Sequence, residues 1–308
     1  MNTPSNGVPE SPLEPKAPAL SATRPLFWSI RRELWENRSV FLAPLAVAAL
    51  VLFALSTGTA HLPRKVRAAS TNDPAEQHLV AFRPYGMAPA PIMFVTFLVG
   101  MFYALDALHG ERRDRSILFW KSLPVSDLTT VLSKASVPLV VLPLIGFALC
   151  VATLAILMVL GTVVLLARGL SPAVLWGGFR VFLEPLIMLY GMAVFTLWFA
   201  PIYGWLLLIS AWARRTPLLW ATLPLFAIAA VEHLAFATSH FGSLLRYRVA
   251  GAMAEAFALE PAAQGHITRL AQLDPARFLS SAGLWSGLAL AALFLALAVR
   301  VRHRGEPI

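Results

Sequence analysis

Six long apolar runs separated by shorter polar segments dominate the chain: Ser39–Gly58, Pro89–Leu108, Ala135–Ala167, Leu186–Trp212, Thr216–Thr238 and Ser280–Val299. A helix needs about 20 mostly apolar residues to cross the hydrocarbon of a bilayer, and every run reaches that length. Ala, Leu and Val fill them without period-two alternation, so the pattern predicts helices, whose backbone groups pair internally where lipid offers no partner. The third run, 33 residues long, would extend about 50 Å at 1.5 Å per residue. It must tilt, bend at Pro138 or Pro143, or protrude. Pro44, Pro201 and Pro224 mark further expected kinks, because an interior proline removes a helix hydrogen bond.

The flanking segments divide into distinct types. Residues 1–23, rich in Pro and Ser and lacking an apolar core, read as a disordered tail rather than a signal peptide. In Pro25–Asn37, Phe27, Ile30 and Leu34 share one helical face while Arg31, Arg32, Glu33 and Glu36 fall largely elsewhere, with Trp28 and Trp35 seven residues apart. That arrangement predicts a short helix lying in the membrane interface. Between the fifth and sixth runs, Leu244–Leu259 reads as an interfacial or re-entrant helix with Arg246, Arg248 and Glu255 as its polar contacts. Asp274-Pro275 reads as an N-cap with proline at the first helical position, so the last helix is expected to begin there.

Composition sharpens this picture. The 308 residues are 58% hydrophobic and 13% charged, against about 45–50% and 25% in soluble domains, and the mean hydropathy is +0.69. The pattern is that of a multi-pass membrane protein, with residues 24–308 as one membrane domain. The net charge of +9 comes from basic residues flanking the apolar runs, which points to lipid headgroups and topology rather than nucleic acid. Six spans put both termini on one side, and that side carries 15 Lys and Arg against 10 opposite. The positive-inside rule then places both termini in the cytoplasm.

Several chemistries are missing from the sequence. There is no Walker A loop, nor any Gly-Lys pair, and no H-E-x-x-H or G-x-S-x-G motif. His233 and His240 share a spacing but lack the further ligands a metal needs, and the lone Cys150 reads as a packing residue. No cofactor and no enzymatic site is expected. Asp106, Glu184 and Glu232 are the candidate intramembrane polar residues. Asp106 sits near Arg112 and Arg113, positioned to anchor the following loop. Glu184 and Glu232 lie toward the outer ends, where they contact substrate, pair with Arg180 or reach water. Gly283, Gly287 and Ala291 form a small-residue stripe that permits close helix contact.

The most informative segment runs from Tyr103 to Asp127. After the second run comes a charged cluster, Glu111-Arg112-Arg113-Asp114-Arg115. A short helix-compatible stretch then carries Phe119, Trp120 and Lys121 and stops at Pro124, with Ser126 or Asp127 able to cap the next helix. Arginine and aromatic side chains are frequent anchors of protein interfaces, so this segment is a candidate docking element. It resembles the loop of the membrane subunit of type-2 ABC transporters. The resemblance rests on Gly110–Asp127, supported by Arg32–Arg38, Ala200–Arg215 and Phe278–Trp285.

The resemblance implies an all-α fold of six transmembrane helices in the bacterial inner membrane. It also implies an amphipathic helix before the first span, a cytoplasmic coupling helix after the second, and small outer-side helices before the sixth. It further implies a permease dimer, with a second copy or a paralogue, and a separate ABC ATPase subunit that binds the ATP. Glu111, Arg112, Arg113, Asp114, Arg115, Phe119, Trp120 and Lys121 become the ATPase-coupling residues, and export the expected activity. Two other readings stay open: an ion-coupled secondary transporter using Asp106, Glu184 or Glu232, and a membrane scaffold that recruits a soluble partner.

Overall fold

A computed structural model describes residues 23–68, 81–82, 85–114, 125–176, 180–258 and 272–304. Residues 1–22 of the tail expected over 1–23 and the stretch 115–124, which includes Arg115, Phe119, Trp120 and Lys121, lie outside the described residues, as does the Arg180 side chain, whereas Thr23 already opens a helix. The described chain is helical, and six helical stretches are long and apolar enough to span a membrane: Ser39–Thr59, Pro89–Arg113, Asp127–Ala167, Leu183–Trp212, Pro217–Phe236 and Ala282–Arg304.

The helices are α1 (Thr23–Glu36), α2 (Ser39–Thr59), α3 (Leu62–Ala68), α4 (Pro89–Asp106), α5 (His109–Arg113), α6 (Asp127–Ser136), α7 (Leu142–Ala167), α8 (Ala173–Trp176), α9 (Arg180–Trp212), α10 (Pro217–Phe236), α11 (His240–Ala256), α12 (Pro275–Ser280) and α13 (Ala282–Arg304). α1 ends at Asn37, whose backbone N–H and side-chain Nδ2 both donate to the Glu33 carbonyl at 3.0 and 3.1 Å. The break separates it from the first span.

The long third run extends further than its apolar part. Its helix begins at Asp127, where the Ser126 hydroxyl accepts the Thr129 N–H at 3.1 Å. α6 then joins α7 through a π-helical turn over Val137–Val141 that holds Pro138 near its start. Proline carries no N–H, and a widened turn is how a helix absorbs the missing bond without stopping. Pro44, Pro201 and Pro224 lie inside uninterrupted helices.

α9 is the central helix. Its main partner is α13, and it also touches α4, α7, α10 and α11. The two cross at Gly204, where an added Cβ would lie 3.2 Å from the Ala291 carbonyl oxygen and 3.3 Å from its Cα. Ala291, from the expected small-residue stripe, therefore does face a neighbouring helix. By contrast, α10 stands at the edge of the bundle, with Ala221 its one buried residue. Cys150 is buried in a small cluster with Ala48 and Ile92.

The region before the last span departs from the sequence reading. Asp274 does cap a helix, accepting the Arg277 N–H at 2.9 Å, but that helix is the six-residue α12. It ends at Ser281, whose backbone is extended and whose hydroxyl accepts the Leu284 N–H at 3.3 Å. The last span starts anew at Ala282. Upstream, α11 packs through Ala252 and Ala256 against Val194, Trp198, Phe278 and Leu284. Arg248 fixes it in place, donating to the carbonyls of Trp198 (3.2 Å) and Gly283 (2.7 Å) with its guanidinium 4.6 Å from the Trp198 ring centroid. A side chain expected as an interfacial polar contact is thus a bolt between two helices.

Candidate functional site

Charges that the sequence scatters over 270 residues meet at the end of the bundle formed by α1, α5, α6 and the end of α13. Glu33 sits on the inward side of α1 and is fully buried. Lys134, in the last turn of α6, is 4% exposed and lies 2.9 and 3.0 Å from the two Glu33 carboxylate oxygens. Tyr103, near the end of α4, donates its hydroxyl to Glu33 Oε2 at 2.9 Å. The Lys134 ammonium also stands 3.1 Å from Glu111 Oε1. The other Glu111 oxygen is held by Arg302 at the end of α13. Arg302 reaches on to Asp127 at 3.0 Å, and Arg32 bonds Glu33 at 2.9 Å.

Glu33, Glu111 and Asp127 thus interlock with Arg32, Lys134 and Arg302, and two partners extend the network: Glu36 lies 3.5 Å from Arg32 and the His303 ring 3.2 Å from Asp127. Taking a lone charge out of water is costly, and a cluster like this persists because every member has opposite charges and hydrogen bonds around it. Burial by itself raises the Glu33 carboxyl pKa, but the Lys134 charge and hydrogen bonds from Lys134 and Tyr103 outweigh it, leaving the group below the ordinary carboxylate range. The arrangement ties together α1, the root of the segment after the second span, the start of the third and the end of the sixth.

A second set of bonds joins the same root to α9. The last turn of a helix leaves carbonyls without partners. Arg112 Nη1 donates to the Ala211 carbonyl at 2.6 Å, and His109 Nδ1 lies 3.2 Å from the Ala213 carbonyl. The backbone N–H groups of Leu108 and His109 donate to the Ser210 hydroxyl at 3.0 and 2.9 Å. Cations suit a helix C-terminus because the peptide dipoles present negative charge there.

The candidate coupling residues therefore separate into two groups. Glu111 and Arg112 are buried and point into the bundle. Arg113 and Asp114 are exposed and bonded to each other at 3.1 Å, and Arg113 stands 3.9 Å from Asp106. Asp106 is thus placed beside the loop root that the sequence assigned it to anchor. Sequence reasoning missed the roles of Glu33, Tyr103, Lys134 and Arg302. The one signal available was a lysine directly before 33 uncharged residues, followed by a span ending in Arg-Val-Arg.

The other two acids lie at helix ends. Glu184 is half-buried in the first turns of α9. Glu232 accepts the N–H groups of His240 and Phe241 at 2.6 and 2.8 Å and the Thr238 hydroxyl at 3.0 Å. It supplies from a neighbouring helix the cap that Ser239 does not give α11. Glu232→Ala is expected to speed amide exchange at His240 and Phe241 and lower the melting temperature of the purified protein, with Glu232→Gln intermediate because one acceptor oxygen survives. Unchanged exchange at both amides would refute the capping role.

No family model, no curated protein and no solved structure matches this chain.

Proposed function

We propose that the chain is the permease subunit of a type-2 ABC transporter, an export system of the bacterial inner membrane. In this reading it forms a substrate path with a second permease copy or a paralogue. A separate ABC ATPase subunit binds and hydrolyses the ATP. Both termini are cytoplasmic, and α1 lies in the interface with the exposed Phe27, Trp28 and Trp35 at headgroup depth.

The observation that carries the proposal is the junction at the root of 115–124. Glu111 and Arg112 fasten that root to four helices, while Arg113 and Asp114 remain outside. A docking loop can transmit force only if its base moves as one body with the spans. Charged pairs in a low-dielectric site resist shear better than a solvated loop. In this division of labour Glu111 and Arg112 transmit, and Arg113, Asp114, Arg115, Phe119, Trp120 and Lys121 touch the ATPase. Glu232 is committed to a cap and Asp106 faces Arg113, which favours this reading over an ion-coupled carrier.

The test is co-purification of the tagged full chain with an ATPase subunit of about 25–35 kDa, one or two domains long. Nucleotide hydrolysis is then assayed after joint reconstitution. Arg113→Glu/Arg115→Glu and Phe119→Ala/Trp120→Ala variants are expected to lose the ATPase while remaining monodisperse. Full retention of the ATPase by both variants would overturn the docking assignment. Cargo movement by the purified chain without ATP would overturn the function itself.

A further inference from the structure

Where α9 ends, α10 begins and α13 nears its last turn, these three helices enclose an apolar groove of about 390 Å³ lined by Trp205, Trp212, Trp220, Pro224, Leu297 and Val301. That volume lies within the range of small-molecule sites. Trp205 donates its indole N–H to the Ala221 carbonyl at 3.0 Å, and Trp212 and Trp220 pack edge to face at 5.0 Å. The polar atom of Trp205 is thereby satisfied, and the wall it presents is purely apolar. Trp212, Trp220 and Leu297 are exposed, so the groove opens sideways toward the surrounding lipid.

Its mouth is strongly basic. Arg214 and Arg215 follow Trp212 in a tight turn closed by Thr216, which adopts a left-handed φ of 47°. Arg300 precedes Val301, and Arg304 lies three residues beyond it on the same side of α13. All four are exposed, and no ion pair among the described residues involves any of them. The neighbouring Arg302, by contrast, is consumed by Glu111 and Asp127. From this rim the groove descends from Trp212 to Trp205, two helical turns or about 10 Å.

We propose that this groove binds one anionic phospholipid of the adjoining leaflet, with an acyl chain against the tryptophans and its phosphate held by Arg214, Arg215, Arg300 and Arg304. The chemistry matches at both ends: indole rings favour the boundary between headgroups and acyl chains, and clustered arginines recognise phosphate through forked donors. A second copy of the chain seated face to face here would set the four arginines against their like. The lipid would brace α10, which the rest of the bundle barely holds, against α9 and α13. The inference does not depend on the ATPase partner.

The full chain, purified and monodisperse, is titrated with phosphatidylglycerol or phosphatidylcholine of identical acyl chains and read by native mass spectrometry. Quenching of tryptophan fluorescence by the same two lipids with brominated chains gives a second readout. Phosphatidylglycerol is expected to be retained preferentially and to quench more at equal mole fraction. Neutralising the rim (Arg214→Gln/Arg215→Gln/Arg300→Gln/Arg304→Gln) is expected to cut the preference by about tenfold or more, given the attraction of each basic residue for anionic lipid. Leu297→Phe/Val301→Phe, which fills the groove and keeps the arginines, is expected to reduce retention too. Equal retention of both lipids overturns the proposal, as does undiminished retention by the neutralised chain. Undiminished retention by the filled variant reduces the effect to surface charge and also overturns it. A lipid-independent dimer that shields the tryptophans from both brominated lipids would assign the groove to a second copy instead.

Discussion

Replacing Lys134 by Ala is expected to cost about 3–5 kcal/mol of stability, because it removes the buried ammonium that holds both Glu33 and Glu111 and leaves only Arg32 and Arg302 to face them. The geometry makes the expectation specific. Lys134 lies within 3.1 Å of carboxylate oxygens from both residues and is itself 4% exposed. A paired change, Glu33→Gln with Lys134→Met, removes one charge of each sign and keeps most of the volume. It is expected to destabilise less than Lys134→Ala, since well-packed neutral residues often substitute for a buried ion pair at little loss. Melting curves in one detergent check both variants, and the double-mutant cycle reads the coupling.

Acid should mimic part of the mutation. The folded protein holds the Glu33 carboxyl below its ordinary range, so Glu33 contributes stability at neutral pH and loses it as pH falls through that lowered value. The Glu33→Gln variant should show a flatter acid limb than the parent. A Lys134→Ala protein as stable as the parent, or an unchanged acid limb for Glu33→Gln, would show that the cluster carries no net stabilisation.

Gly204→Leu is the second change with a large expected effect. Even a methyl group here would sit 3.2–3.3 Å from the backbone of Ala291, and backbone cannot swing aside as a side chain can. Forcing a bulky side chain into this crossing must separate α9 from α13, the most extensive helix pair in the molecule. Overpacking a filled site by a few atoms costs about 1–3 kcal/mol. Gly204→Ala should fall near the lower end and Gly204→Leu at or beyond the upper. The separation also strains the tip of α13, where Arg302 meets Glu111, so loss of packing and loss of the ion cluster should appear together.

Gly58 supplies the control. It lies in α2, and an added Cβ there meets nothing within 4 Å. Gly58→Ala should be neutral or stabilising by about 0.5–1 kcal/mol, the usual helix preference for alanine over glycine. Melting curves of the three variants decide the matter, and equal stability of Gly204→Leu and the parent would contradict the crossing.

The spans were legible because burial in lipid demands long, nearly uninterrupted apolar runs. All six expected runs are helical over most of their length, and their ends shift by a few residues, apart from the third, which starts eight residues earlier at Asp127. The cap signal at Ser126 and Asp127 marked that start, but residues 127–134 are too polar to count in the apolar run, and the helix there is held by the Ser126 cap and by the Lys134 contacts rather than by lipid. The break at Ser281 was hidden. Asp274-Pro275 is a sound start signal, and nothing local announces that the helix it starts lasts only six residues.

The candidate site was legible in part. The segment Glu111–Asp114 stood out because charge is dense there, and the pattern could not tell which of its side chains turn inward. Spacing along the chain sets a residue's place on its own helix. Whether Glu33 and Lys134 meet depends on how two helices 100 residues apart are set against each other.

From the chain alone come the six helices long and apolar enough to span a membrane and the separate helix before them. Those features follow from local rules of length, periodicity and charge placement. Tertiary structure decided that Glu33, Glu111, Asp127, Arg32, Lys134 and Arg302 form one ion cluster, that Glu232 caps a neighbouring helix and that Arg248 bolts α11 to α9 and α13. The physical reason is the cost of desolvation. A charge that faces away from water must find its opposite, and only the packing of distant helices determines which one is within reach.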